Sequence, residues 1–250
     1  MKYIFLTLLS GFIFSQNIVL ESARMAQQVY QETPQTEFRL LHDHTHHFWG
    51  NRLMAFHDAK TDTIYVSVRG TSKIQNWLAN AHIGTAEKAL NTVFDLITQR
   101  PEHKGHYKLA KEATGLWFIL AFENLKDEVE SILQQNPHTQ VIFTGHSYGG
   151  IMANLLAQHA YHRYPNLKFK CYTFNAPGSL EIRQNSLKMP KIPEEILTKR
   201  FFNHVRITDP VSYIGTHESK KIAYDGPINP LAAHAIGYFV EDLDTGMQPI

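Results

Sequence analysis

The chain has 250 residues, 43% of them hydrophobic and 12% aromatic, enough for one domain with a full core. Its formal net charge is +1 and no Lys/Arg-rich run stands out, so there is no electrostatic footprint for nucleic acid or for a strongly acidic partner. The single cysteine, Cys171, excludes an internal disulfide and a multi-cysteine metal site, and the mostly apolar run from Phe169 to Phe174 marks it as a small buried residue.

Residues 1–15 carry Lys2, an almost continuous apolar run from Tyr3 to Phe14, and then the small Ser15. That pattern resembles a secretory signal peptide; the competing reading is a buried first helix or strand. The run is short for a bilayer span, and no other segment approaches that length. The expectation is a single domain over residues 16–250, secreted or periplasmic, with no transmembrane span in the mature chain.

From Ile18 to Tyr30, Ile18, Val19, Ala23, Ala26, Val29 and Tyr30 fall near one helical face, predicting an amphipathic helix packed on a sheet. Next, Leu41 to Trp49 concentrates His42, His44, His46 and His47. The cluster matches no established metal-ligand spacing and has no cysteine partner, so it reads as a polar loop entering a strand, with metal binding as the competing reading. Leu53–His57 and Ile64–Val68 read as strands joined by a turn over residues 58–62.

The second of these strands runs into Arg69-Gly70-Thr71, where Thr71 can cap a following helix. In that helix Ile74, Trp77, Leu78 and Ala81 recur at helical spacing. Lys88 to Lys104 reads as another amphipathic helix and a loop at Pro101. A long helix carrying Leu109, Ala113, Leu116, Leu120, Leu125, Val129 and Ile132 then covers the sheet and ends at Asn136-Pro137.

The most informative stretch is Val141-Ile-Phe-Thr-Gly-His-Ser-Tyr-Gly-Gly150. Four apolar or β-branched residues suit a central strand and Ile151–Tyr161 is rich in helix formers, so the chain must reverse within a few residues around Ser147. Gly145 and Gly149 permit that reversal, which lifts the Ser147 hydroxyl above the sheet edge before a helix N-terminus. Phe169–Phe174 then predicts a parallel strand closed by Asn175-Ala-Pro-Gly178, and residues 184–199, with Pro190 and Pro193, a loop of variable conformation. A further strand, Phe201–Ile207, ends in Thr208-Asp209-Pro210-Val211. Asp209 therefore sits at a strand's carboxyl end, where catalytic groups of open α/β sheets collect, although an Asp before Pro also suits a turn. Two histidines come after it, His217 close behind and His234 beyond a strand at Lys221–Tyr224 and the loop at residues 225–230; His234 has the longer path back to the serine.

Two blocks, V-S-V-R-G-T-S-K-I-Q-N-W-L-A-N-A from Val66 to Ala81 and G-H-S-Y-G-G from Gly145 to Gly150, closely resemble the class 3 lipase family of α/β-hydrolases, which includes fungal triacylglycerol lipases. The likeness runs from about Ile18 to the C-terminus, and Asp209-Pro-Val and His234-Ala-Ile-Gly-Tyr238 resemble further family segments. It implies an α/β fold whose mostly parallel central sheet is flanked by helices, with Ser147 on a nucleophile elbow. It also implies a Ser147–Asp209–His234 triad, oxyanion donors at the N–H groups of Thr71 and Tyr148, and a lid bearing Ile74, Trp77 and Leu78. The implied function is a secreted serine lipase or esterase acting on lipid acyl esters, in some cases at a lipid–water interface, without metal or organic cofactor. A phospholipase A1 or feruloyl-type esterase would use the same triad. A non-catalytic binding protein is a reading from another class, but its expected mark, a lost member of the constellation, is absent. Two departures from the family pattern stand out: Tyr148 where Leu is usual, and Phe174-Asn-Ala-Pro-Gly178 in place of a Gly-x-Pro-[RK] turn.

Overall fold

The computed structural model describes residues 17–46, 51–69 and 108–250. Among the described residues seven strands form one sheet, in chain order across it: β1 (Arg39–His46), β2 (Asn51–Asp58), β3 (Thr63–Arg69), β4 (Gln140–His146), β5 (Phe169–Phe174), β6 (Phe201–Arg206) and β7 (Lys220–Tyr224). β1, β2 and β3 pair antiparallel, and every later pair is parallel. The short turn after β2 permits a hairpin, whereas parallel neighbours need a long crossover. β3 to β6 are buried almost throughout, as strands covered on both faces must be.

Helix α1 (residues 17–28) lies on one face. Ala23, Met25, Ala26 and Val29 meet Met54, Phe56, Tyr65, Ile142 and Phe174 there in a cluster completed by Tyr224 and Phe239. Two buried hydroxyls fasten it to the sheet: Ser67 Oγ donates to Met25 O at 2.7 Å and Thr144 Oγ1 to Ser22 O at 2.9 Å. The other face carries α2 (Lys108–Gln135) and α3 (Tyr148–Arg163), whose Leu125, Val129, Ile151, Leu155 and Leu156 pack on Leu53, Val66, Val141 and Phe143. The chain continues through α4 (Glu194–Arg200), α5 (Pro230–His234) and α6 (Ile236–Asp244). Among the described residues no helix is long and apolar enough to cross a membrane.

The mostly parallel sheet flanked by helices agrees with the sequence expectation, and two local readings are corrected. His42 and His44 lie on β1, a regular edge strand paired with β2 from His42↔Ala55 to His46↔Asn51, and not on a loop. Residues 184–199 are not a featureless loop. A π-helical turn, Ile182–Ser186, is followed by α4, which has Pro193 as its N-cap and Glu194 and Glu195 in its first turn and ends on Lys199 and Arg200, charges that complement the helix dipole. The segments expected over residues 1–15, the helix over 74–81, and the helix and loop over 88–104 lie outside the described residues.

Candidate active site

β4 enters α3 through Ser147, whose φ of 56° and ψ of −129° are costly for any residue with a Cβ, about 1–3 kcal/mol. The surroundings hold it there. Ser147 N–H donates to Phe174 O at 3.0 Å, and Gly150 N–H returns to Ser147 O at 3.0 Å. A Cβ on Gly145 would lie 2.4 Å from Gly149 O, and one on Gly150 would lie 2.6 Å from Ala176 Cβ, so the turn closes only with glycine at both positions.

Ser147, Asp209 and His234 converge although they come from three distant parts of the chain. His234 Nε2 lies 2.9 Å from Ser147 Oγ, and His234 Nδ1 lies 2.9 Å from Asp209 Oδ2. Asp209 is fully buried, Ser147 is 4% exposed and His234 8% exposed, so the line of hydrogen bonds is shielded but reachable at its histidine end. Asp209 serves its turn and its histidine at once, because Oδ1 accepts from Val211 N–H at 3.0 Å at the start of a 3-10 turn (Pro210–Tyr213) while Oδ2 faces the imidazole. The turn-former and acid readings of this residue are therefore compatible.

His234 ends α5, a helix of five residues begun by Asn229, whose Oδ1 accepts from Leu231 N–H and Ala232 N–H, and by Pro230. Two side chains that the sequence marks only as turn and packing residues hold the end of this helix. Asn175, buried at the end of β5 with a φ of 48°, donates from Nδ2 to Ala233 O at 2.9 Å and to His234 O at 3.4 Å, while its Oδ1 accepts from Arg206 N–H at 2.9 Å. The sequence-level hint of that role is an asparagine, a residue that tolerates the left-handed region, directly after an apolar strand. His146 donates from Nε2 to His234 O at 2.6 Å and faces Tyr30 Oη through Nδ1 at 3.3 Å. Burial first, and the neighbouring His234 second, push the His146 imidazole down to about 3, so it is neutral and one nitrogen donates while the other accepts.

His217 is directed elsewhere. Its Nε2 donates to Ser212 O at 2.8 Å, its Nδ1 faces Asn203 Nδ2 at 3.3 Å, and burial lowers it to about 4. Tyr148 opens α3, where the first amides of a helix point out of its N-terminus, here beside Ser147. Its ring is 2% exposed and belongs to the apolar cluster under α3. Thr71 and the predicted lid residues Ile74, Trp77 and Leu78 lie outside the described residues; β3 ends at Arg69, with Val68 paired to Gly145 of the elbow.

The chain that gathers Ser147, His234 and Asp209 in this way is similar to known proteins over most of its length. The class 3 lipase family model matches residues 65–217. A "secreted mono- and diacylglycerol lipase 1" of Fusarium solani is 31% identical over 114 residues, covering 46% of this chain and 29% of that protein, so the chain matches under a third of that relative's length. Among solved structures, the triacylglyceride lipase of Rhizomucor miehei aligns with a TM-score of 0.54 at 17% identity, over 83% of this chain and 79% of that one. A lipase of Yarrowia lipolytica aligns with a TM-score of 0.51 at 18% identity, over 88% and 82%. At those identities the structures speak for the fold, and the match over residues 65–217, which takes in the elbow and Asp209, speaks for descent: this chain belongs to the class 3 lipase family.

Proposed function

We propose that the protein is a secreted serine lipase or esterase that hydrolyses carboxylic esters, with lipid acyl esters as its substrate class. The observation that carries this reading is the unbroken line from Ser147 Oγ through His234 to Asp209, with 2.9 Å at each step. His234 Nε2 takes the serine proton as Oγ attacks the ester carbonyl. Asp209 fixes the imidazole tautomer and stabilises the imidazolium, which then protonates the leaving alcohol. The N–H groups of Tyr148 and Thr71 receive the charge on the carbonyl oxygen, and water activated by His234 resolves the acyl-enzyme. Every step uses side chains and amides of this chain, with no metal or organic cofactor.

Secretion is part of the same proposal. It rests on the apolar N-terminal run at residues 3–14 and on the matched relative, whose name describes it as secreted. The lipid preference rests on the family and on the sequence after Thr71, where Ile74, Trp77 and Leu78 recur at the spacing expected of an apolar lid helix. A rate profile across p-nitrophenyl ester chain lengths, measured below and above the solubility limit, tests both parts. The expected result is hydrolysis that Ser147→Ala abolishes and a rate that jumps once an interface forms. Full activity in Ser147→Ala would refute the mechanism, and a smooth profile would refute the gating helix.

A further inference from the structure

The histidines of β1 are not absorbed by ester chemistry. Side chains two residues apart on a strand share a face, so His42 and His44 both turn toward α2, where Glu128 and Asn124 lie one helical turn apart. His42 Nε2 is 2.8 Å from Glu128 Oε2, and His44 Nδ1 is 3.3 Å from Glu128 Oε1. One ligand atom from each of the three residues falls within 4.8 Å of the others, the only such group among the described residues.

Two imidazole nitrogens and one carboxylate converge here. His44 Nε2 lies 3.1 Å from Asn124 Oδ1, an acceptor, so Nε2 carries a proton, and in the neutral ring Nδ1 presents a lone pair. That lone pair faces a carboxylate oxygen. His42 Nε2 is itself shielded from solvent and makes no hydrogen bond, although Glu128 Oε2 lies 2.8 Å away. The two imidazole rings are near parallel, 12° apart, with centroids separated by 6.4 Å. Ring nitrogens facing a carboxylate need positive charge between them, which a proton on each imidazole or one metal ion shared by all three groups supplies.

We propose that His42, His44 and Glu128 form a zinc site that clamps the edge strand β1 to α2. A His, His, Glu set is a recurring zinc donor set, and it leaves a fourth position for water. Bonds of about 2.0–2.1 Å in a tetrahedron place ligand atoms about 3.3 Å apart, so ligand atoms now within 4.8 Å of one another close by about 1.5 Å at most. Asn124, accepting from the far nitrogen of His44, fixes the tautomer and ring as an outer partner of a ligating histidine does. The three side chains are 27–31% exposed, which gives an ion a way in. The site stands apart from Ser147 and does not depend on the ester reading.

The test uses the purified full chain, stripped with a chelator and titrated with Zn²⁺ against a chromogenic competitor. The parent should take up one tightly held zinc, and so should Ser147→Ala. His44→Gln and Glu128→Gln should lose more than about 100-fold in affinity, and Asn124→Ala about 10- to 100-fold. Zinc should raise the melting temperature of the parent and not that of Glu128→Gln, and Co²⁺ should give the visible bands of a four- or five-coordinate site only where His42, His44 and Glu128 are intact. Near-ultraviolet circular dichroism checks that the variants keep the fold. The chain has 15 histidines, and weak binding by the others would survive in every variant. Equal affinity in parent, His44→Gln and Glu128→Gln would overturn the proposal, as would a parent that holds no zinc against the competitor.

Discussion

Replacing Asp209 by Asn removes a charge while keeping the shape, and the surrounding hydrogen bonds decide how the imidazole responds. Oδ1 accepts from Val211 N–H at 3.0 Å and Oδ2 from His234 Nδ1 at 2.9 Å, both within a fully buried pocket. An asparagine keeps the Val211 bond by pointing its carbonyl there, which turns its NH₂ toward His234 Nδ1. That nitrogen must then accept, the imidazole proton moves to Nε2, and Nε2 can no longer receive the proton of Ser147. Flipping the amide restores the useful tautomer but leaves two buried donors, Val211 N–H and the NH₂, facing each other. At about 1–3 kcal/mol per unsatisfied buried donor, the working tautomer falls to between about one part in 30 and one part in 10⁴. The loss of charge beside the imidazolium adds to this, and the expected fall in kcat is about 10⁴-fold, equivalent to about 5.4 kcal/mol of transition-state stabilisation. Initial rates on a soluble p-nitrophenyl ester measure it, with circular dichroism melts as a control on folding. A variant that retains activity within tenfold of the parent, and melts like it, would refute the tautomer argument and the role of Asp209.

The strained Ser147 backbone predicts that Ser147→Gly and Ser147→Ala, both inactive, differ in stability. Relief of φ 56° favours glycine by about 1–3 kcal/mol, against about 0.5–1 kcal/mol of extra chain entropy, so urea unfolding should find the glycine variant the more stable, and the reverse order would argue against strain. His146 and His204, each lowered to about 3 mainly by burial, stay neutral in the folded chain when the unfolded chain takes up protons below about pH 6.5. The unfolded state then binds more protons, so stability is lost as pH falls from about 6.5 toward 3, at up to about 1.4 kcal/mol per pH unit for each histidine. Denaturant titrations from pH 7 to pH 5 that gave a flat stability would contradict this. Glu218→Ala strands the Arg183 guanidinium, whose side chain is 2% exposed and whose Nε donates to Glu218 at 2.9 Å, and should cost about 3–5 kcal/mol by urea unfolding; a loss under about 1 kcal/mol would mean the pair is solvated in solution.

Where residues carry both a pattern and punctuation, the sequence is readable. Phe169–Phe174 is bounded at both ends, and the long helix over α2 stops where Asn136-Pro137 forbids it to go on. The parallel core comes from strands apolar on both faces. β1 is hidden because an edge strand with His42 and His44 on a half-exposed face has no apolar alternation to show. α4 and α5 are hidden because Pro193 and Asn229-Pro230 read as breakers, when each begins a helix. At the candidate site, the serine announces itself through local glycines. The partners of Asn175 lie 31 to 59 residues further along the chain, and no local spacing encodes such a contact.

Those remote partners decide how the site is held. A five-residue helix has no stability of its own, so the placement of His234 at the end of α5 is imposed from outside. Asn175 and His146 bond the carbonyls of residues 233 and 234, and α6 behind them is pinned by Arg206, which donates to Tyr238 O at 2.8 Å, pairs with Asp242 and lies over the Phe239 ring. Asn175→Gly isolates the side chain's contribution, because glycine accepts the φ of 48° and leaves only the amide missing. Without it Ala233 O and Arg206 N–H lose buried partners, and His234 gains freedom relative to Ser147 Oγ. A misplacement of about 1 Å can cost about 100-fold in rate, so kcat should fall by one to two orders of magnitude. KM for a soluble ester should stay within about threefold, since Asn175 is fully buried and has no contact to offer the substrate. If kcat is unchanged while stability falls, Asn175 is a structural tie alone. The short helix would then have to be positioned by its Asn229 cap and by His146.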